Sequence, residues 1–186
     1  MGLTSEPFMP NIITQSFNTP YGELLLGSFE GQLCLCDWRY RKMRQNVDER
    51  IQKALGTQYE EGDDDILRET RRQFDEYFAG QRQEFDIPLL LAGTDFQKTV
   101  WQALLQIPYG STATYLKLSQ TLGNEKAIRA VAAANGANAI SIIVPCHRIV
   151  GSNGELIGYA GGLPAKQKLL LLEGAGKVQL NLFESN

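Results

Sequence analysis

Nine residues constrain this chain more than any others: Ile142-Ile143-Val144-Pro145-Cys146-His147-Arg148-Ile149-Val150. An apolar, β-branched run meets a proline. It then presents a cysteine, the chain's only histidine and an arginine ahead of another apolar pair. A residue before proline is pushed toward extended backbone, so Val144 is expected to end a buried strand and the chain to turn at Pro145. Cys146 then sits on an elbow. A thiol is a weak nucleophile until a neighbour lowers its pKa or takes its proton, and an imidazole can do either. Buried free cysteine is commonly just a small apolar side chain. The flanking His147 and Arg148 argue for chemistry instead.

The chain around this segment is of ordinary globular composition, 186 residues with 43% hydrophobic and 21% charged. That length suits one large domain or two small ones sharing an interface. The three cysteines, Cys34, Cys36 and Cys146, have no framework spacing. Their sparse, odd count argues for a reducing compartment, and a cytoplasmic location is the expectation. The N-terminus has no basic region followed by an apolar one, so no secretory signal is read there. The apolar runs near 89–92 and 169–172 are too short to cross a bilayer, which excludes a membrane as partner on this reading. The net charge of −3 hides an asymmetry, since residues 1–90 carry −6 and residues 91–186 carry +3. A phosphate backbone would be met by the C-terminal half.

Residues 11–40 read as short strands joined by turns at Thr19-Pro20-Tyr21-Gly22 and Glu30-Gly31. Cys34 and Cys36 share one face of such a strand. Two thiolates need further ligands for a metal and only His147 is a strong one, so strand packing is the preferred reading and no metal is expected. Residues 40–63 are polar and mixed, with the acidic run from Glu60 to Asp65 read as a solvated loop that places negative charge at a helix N-terminus. Ile66, Leu67, Thr70, Phe74, Tyr77 and Phe78 recur at helical spacing and predict an amphipathic helix over 64–79, closed by Gly80. Residues 84–87 alternate as a further strand would.

The second half changes character. Thr94-x-x-Gln97 is a capping-box pattern that opens a helix through Trp101 to Ile107, stopped by Pro108. A short helix over 115–122 ends at Gly123-Asn124, and an alanine-rich helix follows from Glu125 to Asn135. Helix, glycine turn, helix is the outline of a helix-turn-helix, although many helical hairpins share it and bind nothing. A glycine-rich loop with one aromatic, Gly158 to Leu163, precedes a last helix with Pro164 in its first turn, running to Glu173 and capped by Gly174. Residues 177–186 carry no legible signal.

Cysteine, histidine and a carboxylate are the set that makes a thiolate, with the imidazole taking the proton and the carboxylate orienting the imidazole. Adjacent side chains rarely face each other, so His147 is expected to reach Cys146 through a water or a bent backbone. Glu173 and Glu155 are the two candidate orienting carboxylates. A cysteine hydrolase uses such a group as well, but nothing marks an oxyanion hole or a peptide cleft.

These residues carry a family resemblance. Val144-Pro145-Cys146-His147-Arg148-Ile149-Val150 closely resembles the active-site motif of the O6-alkylguanine-DNA alkyltransferases, the methylated-DNA–protein-cysteine methyltransferases. The likeness runs from Phe96 to Glu173 through Trp101, Ile107-Pro108-x-Gly110, Tyr115, Arg129-Ala130-Val131, Asn138 and Gly158-Tyr159-x-Gly161-Gly162. It resembles the stand-alone bacterial form. The resemblance implies an α+β chain. Residues 1–90 would form a small N-terminal antiparallel sheet-plus-helix domain of ribonuclease H-like type. Residues 91–186 would form a helical DNA-binding and active-site domain with a winged helix-turn-helix.

The implied function is direct-reversal repair. The alkyl group of O6-alkylguanine, and of O4-alkylthymine, in double-stranded DNA would pass irreversibly to the protein's own cysteine, without cofactor, in a monomer. Cys146 would be the acceptor, with His147 and Glu173 generating the thiolate and Asn138 linking the helix-turn-helix to the active-site turn. Tyr115, Arg129, Ala130, Arg148, Ile149, Tyr159 and Ala160 would meet DNA or the extruded base. Tyr115 would rotate the nucleotide, Arg129 would fill the gap in the stack and Tyr159 would close the pocket. Two positions depart from the family pattern: Ala139 replaces a common proline after the hinge asparagine, and Ala160 replaces a frequent serine. Binding-only relatives lack the cysteine that this chain keeps. Taken singly, Tyr115 and Tyr159 read as packing aromatics, Arg129 as a solvated charge and Glu173 as a helix-end residue poorly placed for the dipole.

Overall fold

The computed structural model describes residues 9–175, so the N-terminal segment and the tail at 177–186 lie outside the described residues. Strands β1 (Ile12–Thr19), β2 (Gly22–Phe29) and β3 (Gln32–Trp38) form an antiparallel meander. Thr19 closes the first turn, its Oγ1 donating to Gly22 O and accepting from Tyr21 N–H. Glu30 and Gly31, with φ of 47° and 78°, form the second, a two-residue turn with both central residues left-handed. A short fourth strand, β4 (Tyr59–Glu61), pairs with β1 in parallel and gives the order β3-β2-β1-β4. It is reached through helix α1 (Arg44–Leu55).

Helix α1 and strand β4 lie in the polar, mixed stretch 40–63, and β4 takes in Glu60 and Glu61, which were expected in a solvated loop. α1 buries only Val47 and Ile51 and its N-cap Met43 offers no side-chain hydrogen bond, so its N-terminal start is unmarked, although Gly56 closes its other end in the left-handed region. Helix α2 (Asp65–Phe78) matches expectation. Its N-cap Asp64 accepts from Leu67 N–H at 2.8 Å, and Leu67, Thr70, Phe74 and Tyr77 are turned inward. The acidic run is spent on this cap, on β4 and on ion pairs from Asp63 to Arg68 and Arg71.

Residues 84–87 form no strand. The chain there reaches β3, where Leu33 N–H donates to Pro88 O and Leu90 N–H to Leu33 O. Farther along the same strand, Cys36 N–H donates to Ala139 O at 2.8 Å and Ser141 N–H to Cys36 O at 2.6 Å. Two passing segments thus pair with β3, and both of its faces are buried. The second is the stretch leading to Cys146.

The C-terminal half holds α3 (Asp95–Leu104), α4 (Tyr115–Thr121), α5 (Ile128–Gly136) and α6 (Leu163–Leu172). α3 opens on the complete Thr94/Gln97 capping box and ends three residues before Ile107. A 3-10 turn at Glu125–Ala127 precedes α5, which is therefore shorter than its sequence pattern. Trp101 Nε1–H donates to Ala134 O at 2.8 Å and ties α3 to α5. A parallel two-stranded ladder joins β5 (Ala113–Thr114) to β6 (Ile149–Val150). One apolar cluster runs from Leu24, Leu26 and Tyr77 to Val100, Val131 and Cys146, so both halves share a core. Among the described residues no helix is long and apolar enough to cross a membrane.

Candidate active site

The run before Cys146 is not the buried strand that its composition suggests. Ile142 has φ 72°, and Ile143 N–H donates to Ser141 O at 2.9 Å, closing a three-residue turn around a left-handed centre. Pro145, at φ −82° and ψ 59°, centres a second such turn of opposite hand, closed by Cys146 N–H to Val144 O at 2.8 Å. The β-branched residues are buried as expected, but in a folded-back loop. Cys146 then opens a second 3-10 turn, Cys146–Arg148, and is itself buried.

Asn138 holds this loop from inside. Its Nδ2 donates to Val144 O at 2.9 Å and to Cys146 Sγ at 3.2 Å, while its Oδ1 accepts from Ile140 N–H at 2.9 Å. One amide therefore spans from the end of α5 to the thiol. Burial pushes the Cys146 thiol up, and the Asn138 bond and the nearby Lys166 charge pull the other way without cancelling it. Cys146 rests as a thiol.

The next two residues belong to a buried cluster around Glu173. His147 Nε2 lies 2.7 Å from Oε1 of Glu173, with neither side chain exposed. Arg148 Nε and Nη2 donate to the same carboxylate at 2.9 and 3.0 Å, and Tyr77 Oη donates to Oε1 at 2.7 Å. Burial would raise the pKa of Glu173, but the His147 and Arg148 interactions outweigh it and bring it to about 2. Burial in turn lowers His147 despite its carboxylate partner, leaving a neutral imidazole. With Glu173 ionised, Nε2 carries the proton, and Nδ1, which has no hydrogen-bond partner, presents a lone pair. Of the two candidate carboxylates, Glu173 is the one that meets His147; Glu155 accepts from Asn153 N–H in its own turn.

Arg148 and Ile149 were expected at DNA or the base. Their side chains are turned inward: Arg148 is committed to Glu173 and to Ile107 O at 2.5 Å, and Ile149 is fully buried. Arg129 and Ala130 are exposed on α5. Tyr115 is half-buried at the start of α4, its hydroxyl accepting from Asn135 Nδ2 at 3.5 Å. Tyr159 and Ala160 are half-buried, with the Tyr159 ring 6.4 Å from the His147 ring. Cys34 and Cys36 are buried thiols donating to Gly27 O and Ser141 O, and among the described residues no three metal-ligating side chains converge.

Sequence reasoning missed a set of supporting residues. Asp37 is wholly buried and accepts from Arg41 and Arg44 guanidinium groups and from Ser141 Oγ. Arg41 bridges onward to Asn138 O at 2.9 Å and to Gly136 O, and Arg50 donates to Ala137 O at 2.7 Å. Three successive carbonyls at the end of α5 are thus satisfied by arginines, the favourable sign for a helix C-terminus. Lys166, also buried, donates to Ile157 O at 2.8 Å and Gly158 O at 3.2 Å, and burial lowers it to about 8. An acid between Cys36 and Trp38 in an otherwise apolar strand was the one visible signal.

Comparison with known proteins agrees with this architecture. Residues 12–91 match the ribonuclease-like domain of 6-O-methylguanine DNA methyltransferase, and residues 95–175 match its DNA binding domain. A methylated-DNA–protein-cysteine methyltransferase of Methanosarcina acetivorans is 43% identical over 159 residues, covering 86% of this chain and 96% of that one. One from Mycobacterium leprae is 44% identical over 162 residues, covering 86% and 90%. The crystal structure of Mycobacterium tuberculosis O6-methylguanine methyltransferase superposes with a TM-score of 0.71 at 37% identity, covering 89% and 93%. The complex of the same organism's OGT with DNA gives 0.75 at 38% identity, covering 88% and 93%. The chain belongs to the methylated-DNA–protein-cysteine methyltransferase family.

Proposed function

We propose that this protein repairs O6-alkylguanine, and O4-alkylthymine, in double-stranded DNA by taking the alkyl group onto Cys146, once per molecule. The observation that carries this reading is Cys146 Sγ held 3.2 Å from Asn138 Nδ2, next in sequence to a histidine locked on a buried carboxylate. Nδ1 of neutral His147 accepts the thiol proton through a water. The thiolate attacks the alkyl carbon in line, the carbon–oxygen bond breaks, and its electron pair stays on O6. The departing base takes up the proton, so charge balances and a thioether remains. A thioether does not revert under these conditions, and the protein is spent.

Access to the carbon requires the nucleotide to leave the stack, at a cost of a few kcal/mol. Exposed Arg129 and Ala130 on α5 fit a helix that enters a groove, with Arg129 filling the gap. Tyr115 turns the nucleotide, and Tyr159 and the Ala160 backbone N–H line the pocket; alanine retains that donor where serine is frequent. On this reading α4 and α5 form a winged helix-turn-helix, residues 1–90 and 91–186 act as two domains, and the protein works as a monomer without cofactor. A duplex carrying O6-methylguanine, titrated with protein, tests it. Loss of the lesion should stop at one equivalent and be absent with Cys146→Ala. Turnover beyond one equivalent, or repair by C146A, contradicts it.

A further inference from the structure

The loop Gly158–Gly162 overlies Cys146 in this reading, and its glycines leave it little rigidity of its own. Two side chains fasten it. Lys166 holds its start through Ile157 O and Gly158 O. Its middle is held by a residue of the other half: Trp38 Nε1–H donates to Tyr159 Oη at 3.1 Å, and the two rings meet edge-on with centroids 6.0 Å apart.

The indole also forms the floor of the loop. A Cβ on Gly161 would lie 2.5 Å from Trp38 Cε2 and 2.6 Å from Cδ2, closer than any real contact. On the opposite side, a Cβ on Gly22 would lie 3.2 Å from Cζ3. Trp38 itself cannot readily move, being 4% exposed at the end of β3, opposite Leu24 of β2, with its backbone N–H donating to Asp37 Oδ1 at 2.9 Å. Because the indole N–H occupies a lone pair of the phenol, the Tyr159 O–H is left free to donate elsewhere.

We infer that Trp38 is a specificity-determining residue: by fixing Tyr159 and the Gly161 backbone it sets the width of the pocket over Cys146 and so the size of alkyl group the protein accepts. This rests on the reading of Cys146 as the acceptor and Tyr159 as a pocket wall. Trp38 acts through Tyr159 and touches no reacting atom. Its loss should therefore change selectivity between adducts, which a merely structural role would leave alone.

The test compares rates of transfer from O6-benzylguanine and O6-methylguanine in one duplex sequence. Trp38→Phe removes the N–H and part of the floor, and should raise the benzyl-to-methyl ratio ~3- to 10-fold, the range one lost hydrogen bond supports. Tyr159→Phe removes the same bond from its other end and should raise the ratio similarly, with no further gain in the double variant. It carries the test alone if W38F does not fold. Wild-type protein that clears both adducts while the folded variants keep the wild-type ratio overturns the assignment of Trp38 only. Wild-type protein that clears neither overturns the repair reading with it.

Discussion

His147 Nε2 and Glu173 Oε1 lie 2.7 Å apart with both side chains fully out of solvent, at the C-terminal end of α6. A carboxylate there is opposed both by burial and by the helix dipole. Arg148 and Tyr77 make it tenable by occupying what His147 leaves of its lone pairs. The imidazole is held in one tautomer as a result, which is what a proton acceptor beside a resting thiol requires.

This pair should set the protein's acid stability. Glu173 keeps its charge to about 2 when folded, whereas in the unfolded chain it takes up a proton in the ordinary carboxylate range. The unfolded state therefore binds more protons in between, and stability falls as pH drops through that window, by about 3 kcal/mol in total. Urea unfolding from pH ~5 to ~2 should show this slope, and Glu173→Gln should lose most of it. At neutral pH the variant should be less stable by about 3–5 kcal/mol, since Arg148 loses its buried partner.

Tyr77 reaches the same carboxylate from the other half of the chain. Tyr77→Phe keeps the packing and removes one bond to a charged acceptor, and should cost about 1.5–3 kcal/mol in denaturant unfolding. An unchanged midpoint would show that the bond contributes nothing.

Elements announced by local chemistry could be read in advance, and those fixed by distant partners could not. Helix α3 declares itself through Thr94 and Gln97, and α2 through its apolar stripe and the Gly80 that follows it. Helix α1 buries only two residues and has no side-chain N-cap, and its Gly56 C-cap alone did not reveal it. Cys146, His147, Asn138 and Glu173 were singled out by family spacing, and the structure pairs Asn138 with Cys146 and His147 with Glu173. Tyr77, Asp37, Arg41 and Trp38 were not, because each acts on a residue roughly 100 positions away. The inward turn of Arg148 was hidden for the same reason: no local pattern shows that Glu173 stands beside it.

Arg41 couples Asp37 to the end of α5. Arg41→Ala should destabilise the protein by about 3 kcal/mol, because a buried carboxylate loses a partner and two carbonyls lose their donor. Released from Arg41, the Asn138 backbone should hold Cys146 less firmly, so iodoacetamide should label the thiol faster than in the wild type. Equal labelling would separate the clamp from the thiol.

Ile142 gives a test of the turn before the nucleophile. It is buried with φ 72°, a geometry that a β-branched residue adopts only under constraint. Replacement by alanine should cost about 2–5 kcal/mol through lost packing. Replacement by glycine loses slightly more side chain but relieves the backbone, and should be the milder change by about 1 kcal/mol. Glycine less stable than alanine would contradict a left-handed centre at this position.

Protein mass tests most directly whether Cys146 is the sink for the alkyl group. Protein incubated with a duplex containing O6-methylguanine should gain the mass of one methylene unit, and peptide mapping should place it on Cys146 alone. An unchanged protein mass after the lesion has disappeared, or a methyl group on Cys34 or Cys36, would contradict it.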